Sequence, residues 1–180
     1  MILGVLSDTH GNRLLMYRAV DLLIRQLGAE HLIHLGDNWE DYEELDRLGY
    51  PVTGVPGLWC HTYHDRSIPK IRVDVFGGLR VAYAHDINVL GAAGIKADLL
   101  LSGHTHKANI ETRHGVPHMN PGHLKNGKDR GQEATCGLVS IDGGSLTLAI
   151  YSLEGQALCS RLFSLGRKEK ETIYDCDARA

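Results

Sequence analysis

Short apolar runs alternate with polar, glycine-flanked breaks along most of this chain. Residues 1–6, MILGVL, are continuously apolar and predict a buried strand. Residues 12–27, NRLLMYRAVDLLIRQL, carry apolar positions at helical spacing, and Gly28 is a natural stop. HLIHL at 31–35 predicts the next strand and runs into Gly36-Asp37. WEDYEELDRLG at 39–49 predicts a short acidic helix, and PVTGV at 51–55 a third strand. Strand, helix, strand, helix, strand is the pattern of parallel strands joined by right-handed crossovers.

The period then changes. KIRVDVFGGLRVAYAHD at 70–86 alternates with period two on both sides of Gly77-Gly78, which predicts a hairpin. A short helix fits 87–96, and ADLLLSG at 97–103 predicts a buried strand. ANIETRHGVPHMN at 108–120 reads as strand, turn at Gly115, strand. Residues 136–165 read as three strands joined by Asp142-Gly143-Gly144 and Glu154-Gly155. The expectation is one α/β domain over residues 1–165, with a mixed sheet and a β-rich second half, followed by a charged, loosely packed tail over 166–180.

Composition narrows the function classes. A length of 180 residues with 43% hydrophobic residues suits one domain with one sizeable core. A formal net charge of −3 argues against a basic nucleic-acid surface, which needs clustered Lys and Arg. The four cysteines, Cys60, Cys136, Cys159 and Cys176, lie far apart and read as free thiols in a reducing compartment. The apolar start is too short for a signal-peptide core, and there is no apolar run of membrane-spanning length. These features predict a soluble cytoplasmic protein with no membrane partner. A homo-oligomer stays open.

The chemistry-bearing residues fall just after the apolar strands. Asp8 and His10, in LSDTHGN, are two apart and point the same way in an extended segment. Read alone, the pair is a weak signal, and an Asp turn followed by a surface His is the plainer reading. Gly11-Asn12 then opens the helix, where free N–H groups favour an anion. Asn12 is therefore either a substrate-phosphate contact or a plain N-cap. Asp37 follows the second strand, at the end where α/β sheets bind ligands. His85 follows the second hairpin arm. His104 and His106 follow the next strand in SGHTH, where Gly103 lets the backbone come close. Two carboxylates and four histidines at strand ends form a ligand set for two cations. Mixed imidazole and carboxylate ligation suits Mn, Fe, Co, Ni or Zn rather than Mg or Ca.

The ordered set D-x-H (Asp8, His10), G-D (Asp37), a lone His (His85), G-H-T-H (His104, His106) and N-P-G (Asn120 to Gly122) resembles the calcineurin-like metallophosphoesterases. The wording is most similar to their compact bacterial and archaeal branch, near which lies the retromer subunit of the same fold. The resemblance covers roughly residues 1–123 and implies a four-layer α-β-β-α sandwich with mixed sheets. It implies that Asp8, His10 and His106 hold one metal, that Asp37 bridges both, and that His85 and His104 hold the second. It implies two divalent transition ions, manganese first, and hydrolysis of a small phosphoester or nucleotide-type substrate by a metal-bridging hydroxide attacking phosphorus in line. A phosphodiesterase is expected.

One segment departs from the family pattern. The family places G-N-x-D or G-N-H after the third strand, and its Asn completes the second metal site. Here the segment is VPGLWC, which puts Leu58 on the Asn and Trp59 in the next slot. Either the second site lacks a ligand, or Cys60, His61, His64 or Asp65 substitutes from the same loop. His61 or His64 could ligate a metal or act as general acid, since imidazole titrates near working pH. Both are equally readable as surface histidines of a solvated loop, and Cys60 as a small buried residue. His123, after N-P-G, is a candidate for facing the metals or substrate. Arg130 is a phosphate contact or part of a mobile surface loop spanning 122–134. His31, His34, His114 and His118 read as structural. The alternative to an enzyme is a non-catalytic metal-binding scaffold for protein interaction, like the retromer subunit.

Overall fold

The first apolar run forms β1 (Ile2–Leu6), and Asn12 caps α1 (Arg13–Asp21) by accepting from the Leu15 N–H. The helix widens into a π-helical turn over Leu22–Gln26, and Gly28 ends it with φ 72°. β2 (His31–His34), α2 (Trp39–Arg47) and β3 (Val52–Gly54) complete the expected alternation. The hairpin follows as β4 (Ile71–Phe76) and β5 (Leu79–Ala84), turning at Gly77-Gly78 with positive φ at both residues. Next come α3 (Ile87–Ala92), β6 (Leu99–Leu101), β7 (Asn109–Arg113) and β8 (Val116–Asn120). β9 (Lys128–Asp129) and β10 (Gln132–Glu133) precede the long strands β11 (Thr135–Asp142), β12 (Ser145–Ser152) and β13 (Ala157–Ser164). The two-residue strand β14 (Thr172–Ile173) is last.

This architecture comes from a computed structural model, which describes residues 1–165 and the backbone of β14. Apart from β14, the charged tail expected over 166–180, with Cys176, lies outside the described residues.

A seven-stranded mixed sheet has the order β14-β13-β12-β11-β1-β2-β3, and a five-stranded one the order β4-β5-β6-β8-β7. β1, β2 and β3 run parallel, as do β5, β6 and β8. Period-two alternation assigns each strand's faces. Leu3, Val5, Ile33, Val139 and Leu148 meet Val81, Tyr83, Leu101 and Met119 in a core between the sheets. Leu6, Leu32 and Cys136 face the other way, onto Met16, Val20 and Leu23 of the first helical segment. Position 4 lies on that face and takes glycine, because a Cβ there would come within 2.8 Å of Leu32 and 3.0 Å of Leu23. On the outer side of the second sheet, Ala82 and Ala84 pack on Leu90 of α3. The result is four layers, α-β-β-α, as the resemblance implies.

Two segments differ from their sequence readings. The mobile loop expected over 122–134 instead contains the β9–β10 hairpin, paired in antiparallel register. The polar stretch after β3 forms a single 3-10 turn, His61–His64, because its local N–H groups find carbonyls three residues back. Among the described residues, no helix is long and apolar enough to cross a membrane.

Candidate metal centre

The carboxyl ends of β1 and β2 meet those of β5 and β6 at one end of the sandwich. The Asp8 N–H donates to the Gly36 carbonyl at 3.1 Å, and the Gly103 N–H to the His85 carbonyl at 2.9 Å. The His104 N–H donates to Asp8 Oδ2 at 2.9 Å, which ties the two sheets together. Gly103 is required there: a Cβ would overlap Ser7 Oγ and lie 2.6 Å from Asp8 Oδ2.

Backbone conformation at this end is unusual. Asp8, His10, Asp37, His104 and His106 have φ of 54°, 48°, 81°, 70° and 61°. Left-handed backbone at a non-glycine residue costs roughly 1–2 kcal/mol and persists only where the surroundings impose it. Five of the six expected ligands adopt it, so each strand end reverses sharply and throws its side chain toward the same crevice.

The side chains converge accordingly. His10 Nε2 lies 2.8 Å from Asp37 Oδ2 and 2.9 Å from His106 Nε2. His106 Nε2 is 3.4 Å from Asp8 Oδ1. One ligand atom from each of Asp8, His10, Asp37 and His106 lies within 4.8 Å of the others. His85, only 2% exposed, donates from Nδ1 to the Leu35 carbonyl at 2.8 Å. Its Nε2 has no hydrogen-bond partner and stands 3.9 Å from Asp8 Oδ1 and 3.8 Å from Asp37 Oδ1. A buried imidazole nitrogen left unpaired beside two carboxylates is a costly arrangement without a cation between them. The residues therefore fit a divalent transition metal. The His104 ring packs edge-on against His85 at 5.0 Å, beside the same carboxylates.

Electrostatics follow from the geometry. Burial pushes the Asp8 carboxyl up, but the His106 contact, the nearby His85 and the Ser7 hydroxyl together outweigh it and hold it below its usual value. His10 is lowered, chiefly by burial, against the pull of Asp37. His106 is raised by its contact with Asp8 and, further, by Asp129.

Asp129 carries no signal in the sequence pattern that singles it out. His106 Nδ1 donates to its Oδ2 at 2.7 Å, which aims the opposite nitrogen, Nε2, into the crevice. The His106 contact holds the Asp129 carboxyl down to about 2. Lys125 Nζ lies 3.3 Å from its other oxygen. An acidic residue in a glycine-flanked segment carries no periodic signal, and only the β9–β10 pairing brings it back to His106.

The remaining candidates divide. Asn12 sits at the helix start, but its carbonyl caps α1 and its amide donates to the Lys125 carbonyl at 2.9 Å. Its side chain thus fastens a loop rather than facing the crevice. His123 is fully buried behind His106, with Nδ1 accepting from the Lys125 N–H and Nε2 donating to the Gln132 carbonyl. Both ring nitrogens are used, so this His does not reach the crevice as its place after N-P-G led us to expect. Asn120 is buried and donates to the Gly103 carbonyl at 2.7 Å, locking the SGHTH loop onto the end of β8.

The loop after β3 presses directly on the centre. A Cβ at Gly57 would overlap the Asp37 backbone, so only glycine permits this approach. Leu58 is half-buried and lines neither hollow of the crevice. Trp59, Cys60 and His61 instead line a hollow of about 550 Å³ together with His10, Asp37, Asn38 and Glu40. The Cys60 Sγ is 2.7 Å from the Thr62 hydroxyl. His64 lines neither hollow; it is exposed and packs edge-on against Tyr63. A second hollow of about 450 Å³ joins Asp8, His10, Asp37, His104 and His106 to Trp59, Lys125 and Arg130.

With this geometry in view, comparison with known proteins decides the family. The model of the calcineurin-like phosphoesterase superfamily domain matches residues 1–144, most of the chain. The chain belongs to this superfamily. No curated protein matches it. Three solved structures share the calcineurin-like fold. YfcE, a phosphoesterase from E. coli, is 23% identical with a TM-score of 0.70, covering 92% of this chain and 100% of that one. A novel archaeal phosphodiesterase is 21% identical with a TM-score of 0.64, covering 83% and 99%. Vps29 from Entamoeba histolytica, complexed with Zn2+, is 20% identical with a TM-score of 0.62, covering 92% and 100%.

Proposed function

We propose that this calcineurin-like protein is a two-metal phosphodiesterase. The observation that carries the reading is the His85 Nε2, buried and without a hydrogen-bond partner, facing Asp8 and Asp37 at 3.9 and 3.8 Å. Asp8, His10 and His106 would hold one ion, His85 and His104 the other, with Asp37 shared. Manganese is the first expectation, and iron, nickel, cobalt or zinc suit the same donors. When bound, two such ions acidify a water and neutralise phosphoryl charge.

The chain's own groups supply the rest. Left-handed backbone at five of the six residues fixes the donors before any substrate arrives. Lys125 and Arg130 line the hollow that contains the ligands and attract the anionic phosphate. His61 stands in the adjoining hollow with His10 and Asp37, and in this reading it returns a proton to the departing alkoxide. Of the two loop histidines, this placement favours His61 over His64 as the general acid. The products are a phosphomonoester and an alcohol, one water having been consumed.

The test is Mn-supplemented hydrolysis of bis(p-nitrophenyl) phosphate by wild type and by Asp37→Asn, with metal content measured on both. Loss of roughly 10³-fold in turnover is expected for the variant. Intact turnover in Asp37→Asn with metal still bound overturns the reading. Leu58 in the slot of the family Asn, and the likeness to Vps29, favour a second reading as a non-catalytic metal-binding scaffold. One metal per chain and no turnover of any diester by wild type would support that reading.

A further inference from the structure

The two hollows of the crevice share three lining residues, His10, Asp37 and Trp59, and differ in everything else. The hollow of about 450 Å³ sets two cations, Lys125 and Arg130, against the carboxylates of Asp8 and Asp37. The hollow of about 550 Å³ has no Lys or Arg among its lining residues and carries Glu40, Asn38 and His61 instead. An anionic group is attracted into the first. In the second no Lys or Arg offsets the carboxylates of Asp37 and Glu40, so its occupant is neutral and able to meet polar side chains.

Trp59 stands between them. It is 86% exposed, the highest value among the exposed large apolar residues described. The chain's other tryptophan, Trp39, is 9% exposed and stacks on Tyr42 with ring centroids 4.4 Å apart. An indole left open at the mouth of a polar crevice offers a flat, polarizable face, and base–aromatic stacking is worth about 1–3 kcal/mol per base. Both volumes fall in the range of small-molecule sites, so a single nucleoside fits where a folded partner does not.

We propose that the substrate is a nucleoside phosphodiester whose phosphate lies in the cationic hollow and whose base lies in the other, stacked on Trp59. Trp59 is then a specificity-determining residue. This inference rests on the phosphodiesterase reading for its reaction, but its binding step is measured separately.

The experiment uses the full chain loaded with Mn and two probes, adenosine 5′-monophosphate and ribose 5-phosphate, which differ by the base alone. Each is titrated by tryptophan fluorescence and by competition with bis(p-nitrophenyl) phosphate. The base should tighten binding about 10- to 100-fold and should quench the exposed tryptophan, while ribose 5-phosphate leaves the emission unchanged. Trp59→Ala should bring the two probes to within about threefold of each other, and Trp59→Phe should keep most of the preference. Equal affinity of wild type for the two probes overturns the inference. So does a base preference that survives in Trp59→Ala, or a Trp59→Ala loss that is equal for both probes. Absence of diester hydrolysis alongside a Trp59-dependent base preference would sink the catalytic reading and leave the binding site standing.

Discussion

Asp8, His85 and His106 are 1%, 2% and 4% exposed and sit directly after strands, whereas Trp59, His61, Lys125 and Arg130 border the same crevice with side chains or residues 33–86% exposed. The first group is held by backbone strain, by hydrogen bonds across two sheets and by a glycine whose Cβ would collide with its neighbours. In the second group Trp59 lies just before the 3-10 turn and His61 opens it, while Lys125 precedes the β9–β10 hairpin and Arg130 sits in its turn. The contrast assigns different work to the two walls. Metal binding needs donors fixed to a fraction of an ångström, which packed strand ends provide better than open loops. Substrate choice needs side chains that face solvent, and loops provide those.

The sharpest way to break the comparison is to remove one exposed group and leave the buried wall intact. His61→Ala should lower turnover of a diester with a poor alkyl leaving group by about 10²-fold. With p-nitrophenol, which departs without a proton, the loss should be small. His64→Ala should stay within about twofold on both substrates, because its ring lies outside both hollows. A His64→Ala loss equal to that of His61→Ala would overturn the assignment of His61.

The buried wall carries its own signature in pH. His34 lies fully buried on β2, its Nε2 without a partner, and burial pushes its pKa from 6.5 to about 4. The unfolded chain therefore binds a proton between pH 6.5 and about 4 that the folded chain refuses, so stability falls as pH falls through that window. The full loss from this group is about 3 kcal/mol. Urea melts of metal-free protein between pH 7 and 4 should show a shallower pH dependence in His34→Gln than in wild type. Parallel curves would remove His34 as the cause.

The smallest effect concerns the one link between the walls. Asp129 belongs to the hairpin yet holds His106 at 2.7 Å. Asp129→Asn should weaken metal affinity by about 10- to 100-fold, read by competition with a chelating dye. Unchanged affinity would make the hairpin a bystander.

Much of this was legible in the chain. Period-two and helical spacing located the long strands, α1 and α2, and the abrupt end of each apolar run marked the candidate donors. Gly103 could be read as a close approach before any neighbour was known. The 3-10 turn and the β9–β10 hairpin were not legible, because each is too short to repeat a period. His123 illustrates the limit from the other side. Its place after N-P-G drew attention to it, yet the ring turns inward and spends both nitrogens on the backbone. The slot vacated by the family Asn posed a question that sequence could not close: Leu58 withdraws, and Trp59, Cys60 and His61 line the crevice in its place.

The sequence by itself determined which side chains stand at strand ends and which strands bury two faces, because periodicity is a local property. The tertiary structure decided which of those side chains meet. His10 and His106 are 96 residues apart, and His85 and Leu35 are 50 apart. Their contact depends on two sheets packing face to face at a fixed offset, and on left-handed turns that set each side chain's direction. Neither the offset nor the direction of a side chain after its strand ends is written in a local pattern. Both follow from the close packing of the layers beneath.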